Sequence, residues 1–264
     1  MFLSIDAGNS TIIFGLYREG AESWPPTLSV DSHKNLTVFQ LEKKLGHFFL
    51  ENDWKLESVT DIGLSTVVPD LAPVLLQCCE NFFGMTPYLI DGNSYERLPV
   101  KTVNPHEIGS DLMANITAAY AYFREACIVV DFGTALTFSI VDEQGQVIGV
   151  NIVPGIKTAI NALFTGTAKL PKVTLEMPDS VLGKNTIHSI QAGIFYGYTA
   201  LVKGMLKAIA AETNQSYKVV ATGGLSAVMD HLHDQFDLID RHLTLKGIYQ
   251  ITNSNRNEQV SGGH

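Results

Sequence analysis

Cysteine, basic charge and long apolar runs are all scarce in this chain, and each shortage excludes a class of protein. Only Cys78, Cys79 and Cys127 occur, with no CxxC pair, so no disulfide framework is expected and a cytoplasmic, reducing location is predicted. The net charge of −9 argues against non-specific nucleic-acid binding, which needs clustered cations. No apolar run approaches the ~20 residues of a membrane span, and Asp6 interrupts the first one, so neither a membrane segment nor a signal peptide is expected.

The chain opens with a hairpin pattern whose first strand ends in a carboxylate. MFLSIDAGNSTIIFGLY has two apolar runs, at 2–5 and 12–17. Between them lie small polar residues: Asp6, Gly8, Asn9, Ser10 and Thr11. An ordinary turn explains such a loop by itself, since Gly and Asn tolerate positive φ. The alternative is a phosphate-binding turn, in which small residues let N–H groups and hydroxyls approach an anion.

The same layout returns in the second half of the chain. CIVVDFGTALTFSIV is again a strand, a carboxylate at Asp131, a turn with Gly133 and Thr134, and a second strand. This internal repeat predicts two related hairpins. Two carboxylates facing one site at about 4 Å would repel by ~4 kcal/mol at an effective dielectric of 20, and a hard cation carrying phosphate oxygens would relieve that repulsion.

A third glycine site lies between a strand and a predicted helix, at Thr222-Gly223-Gly224. Taken alone it is as easily an ordinary strand-to-helix turn as a surface for a nucleotide base or ribose. With the two hairpins, the order of the three sites predicts a nucleotide-binding protein.

The ordered motifs resemble those of the type III pantothenate kinases, within the acetate and sugar kinase/Hsp70/actin superfamily. IDAGNS and DFGTALTF are similar to the two phosphate motifs of that family, and NPHEIGSD to its substrate motif. IVPG, AKLPKV, GKNTIHSIQAGIFYG and ATGGLS follow in family order, so the resemblance covers roughly residues 1–250. It implies an α/β fold of two ribonuclease H-like lobes, each a mixed sheet flanked by helices, with a cleft between the lobes.

The resemblance also implies an activity, namely ATP-dependent phosphorylation of the primary hydroxyl of pantothenate, the first step toward coenzyme A. It implies Mg²⁺, a monovalent cation (K⁺ or NH₄⁺) and a homodimer. Asp111 would be the catalytic base, and Asp131 would hold the monovalent cation. Residues implied for ATP are Asp6 (also the divalent metal, through phosphate), Gly8, Asn9, Ser10, Thr11, Thr134, Gly223 and Gly224. Residues implied for the acceptor are Thr102, Gly109, Ser110, Leu112 and Thr186, the last from either subunit.

The chain departs from the family pattern mainly on the acceptor side. Leu112 stands where the family usually has Arg, and Thr102 where it usually has Tyr. A lost charge-assisted hydrogen bond removes ~1.5–3 kcal/mol of binding, so weak use of pantothenate is one expectation. A different small alcohol as acceptor, or a non-catalytic regulatory relative, are the alternatives. Lys101 and Lys184 are the nearest cations in sequence that could compensate.

The predicted domain organisation follows the two hairpins. Residues 1–115 form an N-terminal lobe, and residues 116–250 form a C-terminal lobe with the second hairpin and the adenosine motif. Residues 251–264, TNSNRNEQVSGGH after Ile251, read as a disordered tail because they are polar and poor in apolar residues.

Overall fold

A computed structural model describes residues 1–18, 20, 24–224 and 232–256. The chain forms two compact units, one of residues 1–122 together with 242 onward, the other of residues 123–241. In chain order the elements are β1 (Phe2–Ala7), β2 (Thr11–Tyr17), β3 (Thr27–Asp31), α1 (Val38–Glu51), β4 (Asp61–Thr66), α2 (Ala72–Phe83), β5 (Tyr88–Leu89), α3 (Ser110–Phe123), β6 (Cys127–Phe132), β7 (Ala135–Val141), β8 (Val147–Pro154), α4 (Ile156–Thr165), α5 (Thr186–Thr213), β9 (Lys218–Thr222), β10 (Leu238–Ile239) and α6 (Leu243–Arg256).

The first unit contains a mixed five-stranded sheet in the order β3-β2-β1-β4-β5. β1 lies in the middle, antiparallel to β2 and parallel to β4. Strands β1 and β4 are almost wholly buried, as expected for central strands made of near-continuous apolar runs. Helix α1 packs against α2. It begins with a capping box in which Thr37 and Gln40 satisfy each other's backbone N–H groups.

The second unit repeats this arrangement, with a five-stranded sheet in the order β10-β9-β6-β7-β8. β6 is antiparallel to β7 and parallel to β9, as β1 is to β2 and β4. The repeat extends to burial, since β1 and β6 are both buried except at their fifth residue, which is Asp6 in one and Asp131 in the other. The predicted fold class, two lobes with mixed sheets flanked by helices, is confirmed.

Helix α5 is a single 28-residue helix, although it contains three glycines, which are poor helix formers. Nothing in the described part of the chain lies within 4 Å of where a Cβ would stand on Gly193, Gly197 or Gly204. All three glycines are exposed to solvent.

The C-terminal helix α6 differs from the predicted organisation in two ways. It packs on β1 and β4, so the chain returns to the first unit instead of ending in the second. It also continues to Arg256, so residues 251–256, predicted as tail, are helical. Ile251 and Thr252 are buried in that packing, and Arg256 pairs with Asp61 at 3.2 Å. Residues 257–264 of the predicted tail lie outside the described residues.

Within the described ranges, no helix combines the length and the apolar composition that crossing a bilayer requires.

Candidate active site

In the first unit, Asp6 occupies the penultimate position of the central strand. It is half-buried and stands in register with Ser65 of β4 and Ile13 of β2. The turn after β1 is closed by a 3.0 Å hydrogen bond from the Gly8 N–H to the Thr11 carbonyl, and Asn9 and Ser10 are exposed on it. This places a carboxylate and an exposed small-residue turn at one end of the sheet.

The end of β4 is joined to the start of α3 by hydroxyl groups. The Ser65 and Ser110 Oγ atoms are 2.8 Å apart, and both residues are buried. The Ser110 hydroxyl also donates to the Thr66 carbonyl at 3.4 Å. Because Ser65 is the register partner of Asp6, this contact brings the N-terminus of α3 to the end of the sheet where Asp6 stands.

Asp111 is the second residue of α3, and its carboxylate folds back over the chain before the helix. Oδ1 accepts the Leu112 N–H at 2.8 Å, and a Cβ on Gly109 would stand 2.5 Å from that oxygen. Glycine at 109 therefore leaves the space that the carboxylate occupies. Burial raises the pKa of Asp111, while hydrogen bonds from the backbone N–H groups of Leu112 and Asp111 itself oppose the rise.

Tyr95 is a further buried group in this region that sequence reasoning missed. Burial raises the pKa of its phenol, and the charges of Asp111 and Asp91 raise it further. It sits in a short 3-10 turn, Gly92–Tyr95, capped by the Asp91 side chain. No periodic pattern marks such a residue, and only the fold brings it under the influence of Asp111.

The two positions that depart from the family pattern, Thr102 and Leu112, are both half-buried. Neither offers a cation. Lys101 is exposed, and its Nζ donates to the Glu96 carbonyl at 2.6 Å; Lys184 is exposed in the second unit.

In the second unit, Asp131 is flanked by threonines on both neighbouring strands. Its register partners are Thr137 of β7 and Thr222 of β9, so the three side chains share one face of the sheet. Within the described residues, the buried Oγ1 atoms of Thr137 and Thr222 have no hydrogen-bond partner. Buried hydroxyls without partners are costly, and a carboxylate between two such oxygens is a donor set that suits a hard cation.

Gly223 follows Thr222 with φ +91°, a conformation that disfavours a side chain. A Cβ there would stand 2.5 Å from Asp131 Oδ1 and within 2.8 Å of the Phe132 backbone. Gly224 is different, because no described atom lies within 4 Å of its Cβ position. Gly223 is thus the residue that lets β9 end directly against Asp131.

The second hairpin turn is tied to the start of α4. The Gly133 N–H donates to the Ala135 carbonyl at 3.1 Å. The Thr134 carbonyl accepts the Gly155 N–H at 3.0 Å and the Thr158 hydroxyl at 2.7 Å. These bonds leave the Thr134 carbonyl occupied, and they hold the turn that carries the predicted phosphate-binding hydroxyl.

Thr186 begins α5, where Asn185 caps the helix by accepting the His188 N–H at 3.0 Å. It is exposed and lines an open cavity of about 600 Å³ between α4 and α5. The cavity is otherwise mostly apolar, with Leu163, Leu170, Ser189, Ile190, Gly193 and Ile194.

The repeated strand order, with a carboxylate at the end of each central strand, defines a protein of the actin-like ATPase fold. Solved structures agree. An activator of 2-hydroxyisocaproyl-CoA dehydratase from Clostridium difficile aligns with a TM-score of 0.54 at 9% identity, covering 98% of this chain and 97% of that one. A Campylobacter jejuni protein described as a Baf family transcriptional activator aligns with a TM-score of 0.59 at 21% identity, covering 97% and 99%. At these identities the likeness shows the fold alone.

Sequence comparison identifies the family. Residues 2–208 match the family described as type III pantothenate kinase. Proteins of that name from Citrifermentans bemidjiense and Geobacter sp. (strain M21) are each 36% identical over 256 residues, covering 97% of this chain and all of theirs. The chain belongs to the type III pantothenate kinase family, and the predicted resemblance is confirmed.

Proposed function

We propose that this kinase transfers the γ-phosphoryl group of ATP to the primary hydroxyl of pantothenate. The observation that carries the proposal is the full-length match to type III pantothenate kinases, in a chain that holds Asp111 half-buried at the start of α3. The Clostridium difficile fold relative was solved with bound ADPNP, which supports nucleotide binding by this fold.

The two hairpins would bind the phosphates of ATP. In the first unit, Asp6 and the turn residues Gly8 to Thr11 supply a carboxylate, hydroxyls and an exposed N–H-bearing loop. Mg²⁺ would be held by phosphate oxygens together with Asp6, as is usual for a small ion that keeps few protein ligands. In the second unit, Thr134 would contact a phosphate, and Gly223 and Gly224 would lie against the adenosine.

Asp131 would hold a monovalent cation, and Thr137 and Thr222 fit as further ligands. The fit rests on the two orphaned hydroxyls beside the carboxylate, which a bound K⁺ or NH₄⁺ would satisfy. A bound cation there would neutralise charge near transferred phosphate, which is the main requirement of a loose phosphoryl transfer.

Asp111 would take the proton of the attacking hydroxyl. The hydroxyl oxygen forms a bond to the γ-phosphorus, the bond to the ADP oxygen breaks, and the proton passes to the Asp111 carboxylate. Gly109 and Ser110 beside it would line the acceptor site. Thr186 would reach the acceptor from the same or the partner subunit.

The proposal includes a homodimer in the cytoplasm. The exposed glycine face of α5, with Gly193, Gly197 and Gly204, is compatible with close approach of a second helix. All three cysteines are buried and free, which suits a reducing compartment.

Steady-state kinetics with ATP, Mg²⁺, K⁺ and pantothenate tests the function. We expect phosphopantothenate to form, with a high KM because Leu112 supplies no cation, and a lower rate when tetramethylammonium replaces K⁺. No product at millimolar pantothenate from a folded protein that binds ATP would reject pantothenate as the acceptor. ATP consumption with another alcohol in a panel would then identify the alternative.

Leu112→Arg tests the acceptor side directly. Restoring a charge-assisted hydrogen bond of ~1.5–3 kcal/mol should lower the KM for pantothenate at least about tenfold. Leu112→Gln, long and polar but uncharged, is the matched control. An unchanged KM in Leu112→Arg would show that position 112 does not limit acceptor binding.

A further inference from the structure

The hydroxyl contact between β4 and α3 joins the register partner of Asp6 to the residue before Asp111, and its Ser65 member has no role in the chemistry proposed above. Ser65 is fully buried at the end of β4, in register with Asp6. Ser110 is buried at the start of α3, immediately before Asp111. Their Oγ atoms are 2.8 Å apart.

The Ser110 hydroxyl has a second contact with β4. It donates to the Thr66 carbonyl at 3.4 Å, and either serine can be the donor in the 2.8 Å bond between Ser65 and Ser110. Two bonds thereby tie the first residue of α3 to two successive residues of β4.

These hydrogen bonds between Ser110 and β4 limit the positions that the Asp111 carboxylate can take. The first turn of a helix has few backbone bonds of its own, and here the first is from the Met113 N–H to the Gly109 carbonyl at 3.0 Å. The carboxylate folds back over Gly109, so any movement of that turn moves the carboxylate with it.

We propose that Ser65 is a positioning residue, whose hydroxyl fixes the start of α3 against β4 and so holds the Asp111 carboxylate at the sheet end that carries Asp6. The inference rests on the proposed kinase function for its kinetic effect. Its structural content, a first turn of α3 held by Ser65, is independent of that function.

Ser4 provides a matched control in the same sheet. It is also a fully buried serine, and its Oγ donates to the Leu245 carbonyl of α6 at 2.8 Å. Ser4→Ala therefore removes a buried hydroxyl whose hydrogen bond is also 2.8 Å long, two residues before Asp6 on β1, and it removes no hydrogen bond of α3 itself. The two alanine variants should lower the thermal midpoint by similar amounts.

Kinetics separate positioning from stability. We expect Ser65→Ala to lower kcat about 10- to 100-fold, because misplacement of a base by about 1 Å has effects of that size, with the KM for ATP nearly unchanged. Ser4→Ala should keep kcat within about twofold. In the double variant Ser65→Ala/Ser110→Ala, kcat should fall no further than in Ser110→Ala, because Ser110→Ala already removes the bond that Ser65→Ala removes. Equal kcat values in Ser65→Ala and Ser4→Ala would overturn the proposal.

Amide hydrogen exchange gives a second result that needs no activity. We expect the Met113 amide to exchange at least about tenfold faster in Ser65→Ala than in Ser4→Ala. If the wild type phosphorylates no acceptor but this difference is present, the proposed function fails while the positioning role stands. If the exchange rates of the two variants agree, the positioning role is wrong whatever the enzyme does.

Discussion

At the scale of single residues, Asp111 is a charge placed where the fold does not favour it. Burial desolvates its carboxylate, and among the described residues the compensation comes from the backbone N–H groups of Leu112 and Asp111. A group with a raised folded-state pKa contributes stability that is present below its unfolded pKa and lost as the pH rises through the folded value. The site therefore costs stability at neutral pH, where the carboxylate must be ionised to act as a base.

Asp111→Asn should separate the role of the carboxylate as a base from its cost to the stability of the protein. We expect kcat to fall by about 100-fold or more, since the base is lost. The thermal midpoint should rise above that of the wild type at pH 8, because the buried charge is gone and the amide oxygen can still accept the Leu112 N–H. The gain should shrink as the pH falls toward the ordinary Asp pKa of ~3.9 and vanish below it, where the carboxyl is protonated in both the folded and the unfolded state.

The exposed Asp179 offers the comparison for that experiment. Asp179→Asn should leave kcat unchanged and should not raise the thermal midpoint, because the side chain that it replaces is exposed. Melting curves across pH 4–8, read beside kcat, check both variants. A lower midpoint for Asp111→Asn at pH 8 would contradict a desolvated carboxylate at this position.

The sequence singles out charged candidate residues more readily than neutral ones. Asp6 and Asp131 are conspicuous because a carboxylate within an apolar strand is unusual, whereas Asp111 was predicted from the resemblance of NPHEIGSD to a family motif. Ser65 and Thr222 are not conspicuous, because a hydroxyl at a strand end is common. Their importance follows from sheet register, which pairs each with a carboxylate on another strand. Register depends on contacts far apart in the chain, which local patterns do not contain.

At the scale of elements, the two central hairpins show how a strand end is adapted to hold a carboxylate. In the second unit this requires glycine at the end of the neighbouring strand, because Gly223 meets both Asp131 and the Phe132 backbone. The sequence predicted the glycine pair as one feature. The structure separates them, since only the first has a positive φ and a close neighbour.

Gly223→Ala and Gly224→Ala form a matched pair. The first should destabilise the protein by about 1–3 kcal/mol, because its φ of +91° is strained for alanine and its Cβ would overlap Asp131. It should also displace that carboxylate and so weaken the response of activity to K⁺. The second should change stability by less than ~1 kcal/mol. Urea unfolding measures the stability of each variant, and titration with K⁺ measures the response of its activity. Equal losses of stability in the two variants would contradict the different roles given to Gly223 and Gly224.

At the scale of the whole molecule, the fold is one arrangement used twice. The repeat of the Asp–x–Gly hairpin predicted this, and both sheets have the predicted hairpins at their centres. The course of the C-terminus was not predictable from local pattern. The end of α6 is rich in Asn, Ser and Thr, which are poor helix formers, but Asn255 bonds to the Ser94 carbonyl at 3.0 Å and Arg256 pairs with Asp61. Tertiary contacts outweigh propensity there.

Helix α6 approaches α3 so closely that its position depends on Gly247. A Cβ at that residue would overlap the carbonyl group of Ala114. We expect Gly247→Ala to destabilise the protein by about 1–3 kcal/mol or more through overpacking, and to lower kcat because α3 carries Asp111.

Gly46, in the interior of α1, is the control for that substitution, because its Cβ would meet Phe82 only at 3.9 Å. Gly46→Ala should stabilise the protein by about 0.5–1 kcal/mol, the usual gain for such a change in a helix. Chemical unfolding measures the change in stability in each variant, which should be a loss for Gly247→Ala and a gain for Gly46→Ala. A stable, fully active Gly247→Ala protein would mean that α6 and α3 are not packed as described.

The return of α6 to β1 and β4 also determines the order in which the halves can be finished during translation. All of residues 123–241 leave the ribosome before α6 does, so the second unit has every one of its own segments while the first still lacks a helix. The half that begins first is thus completed last. Until α6 is added, β1 and β4 lack the helix that packs on them, and a chain in that form leaves apolar surface open to chaperones and proteases.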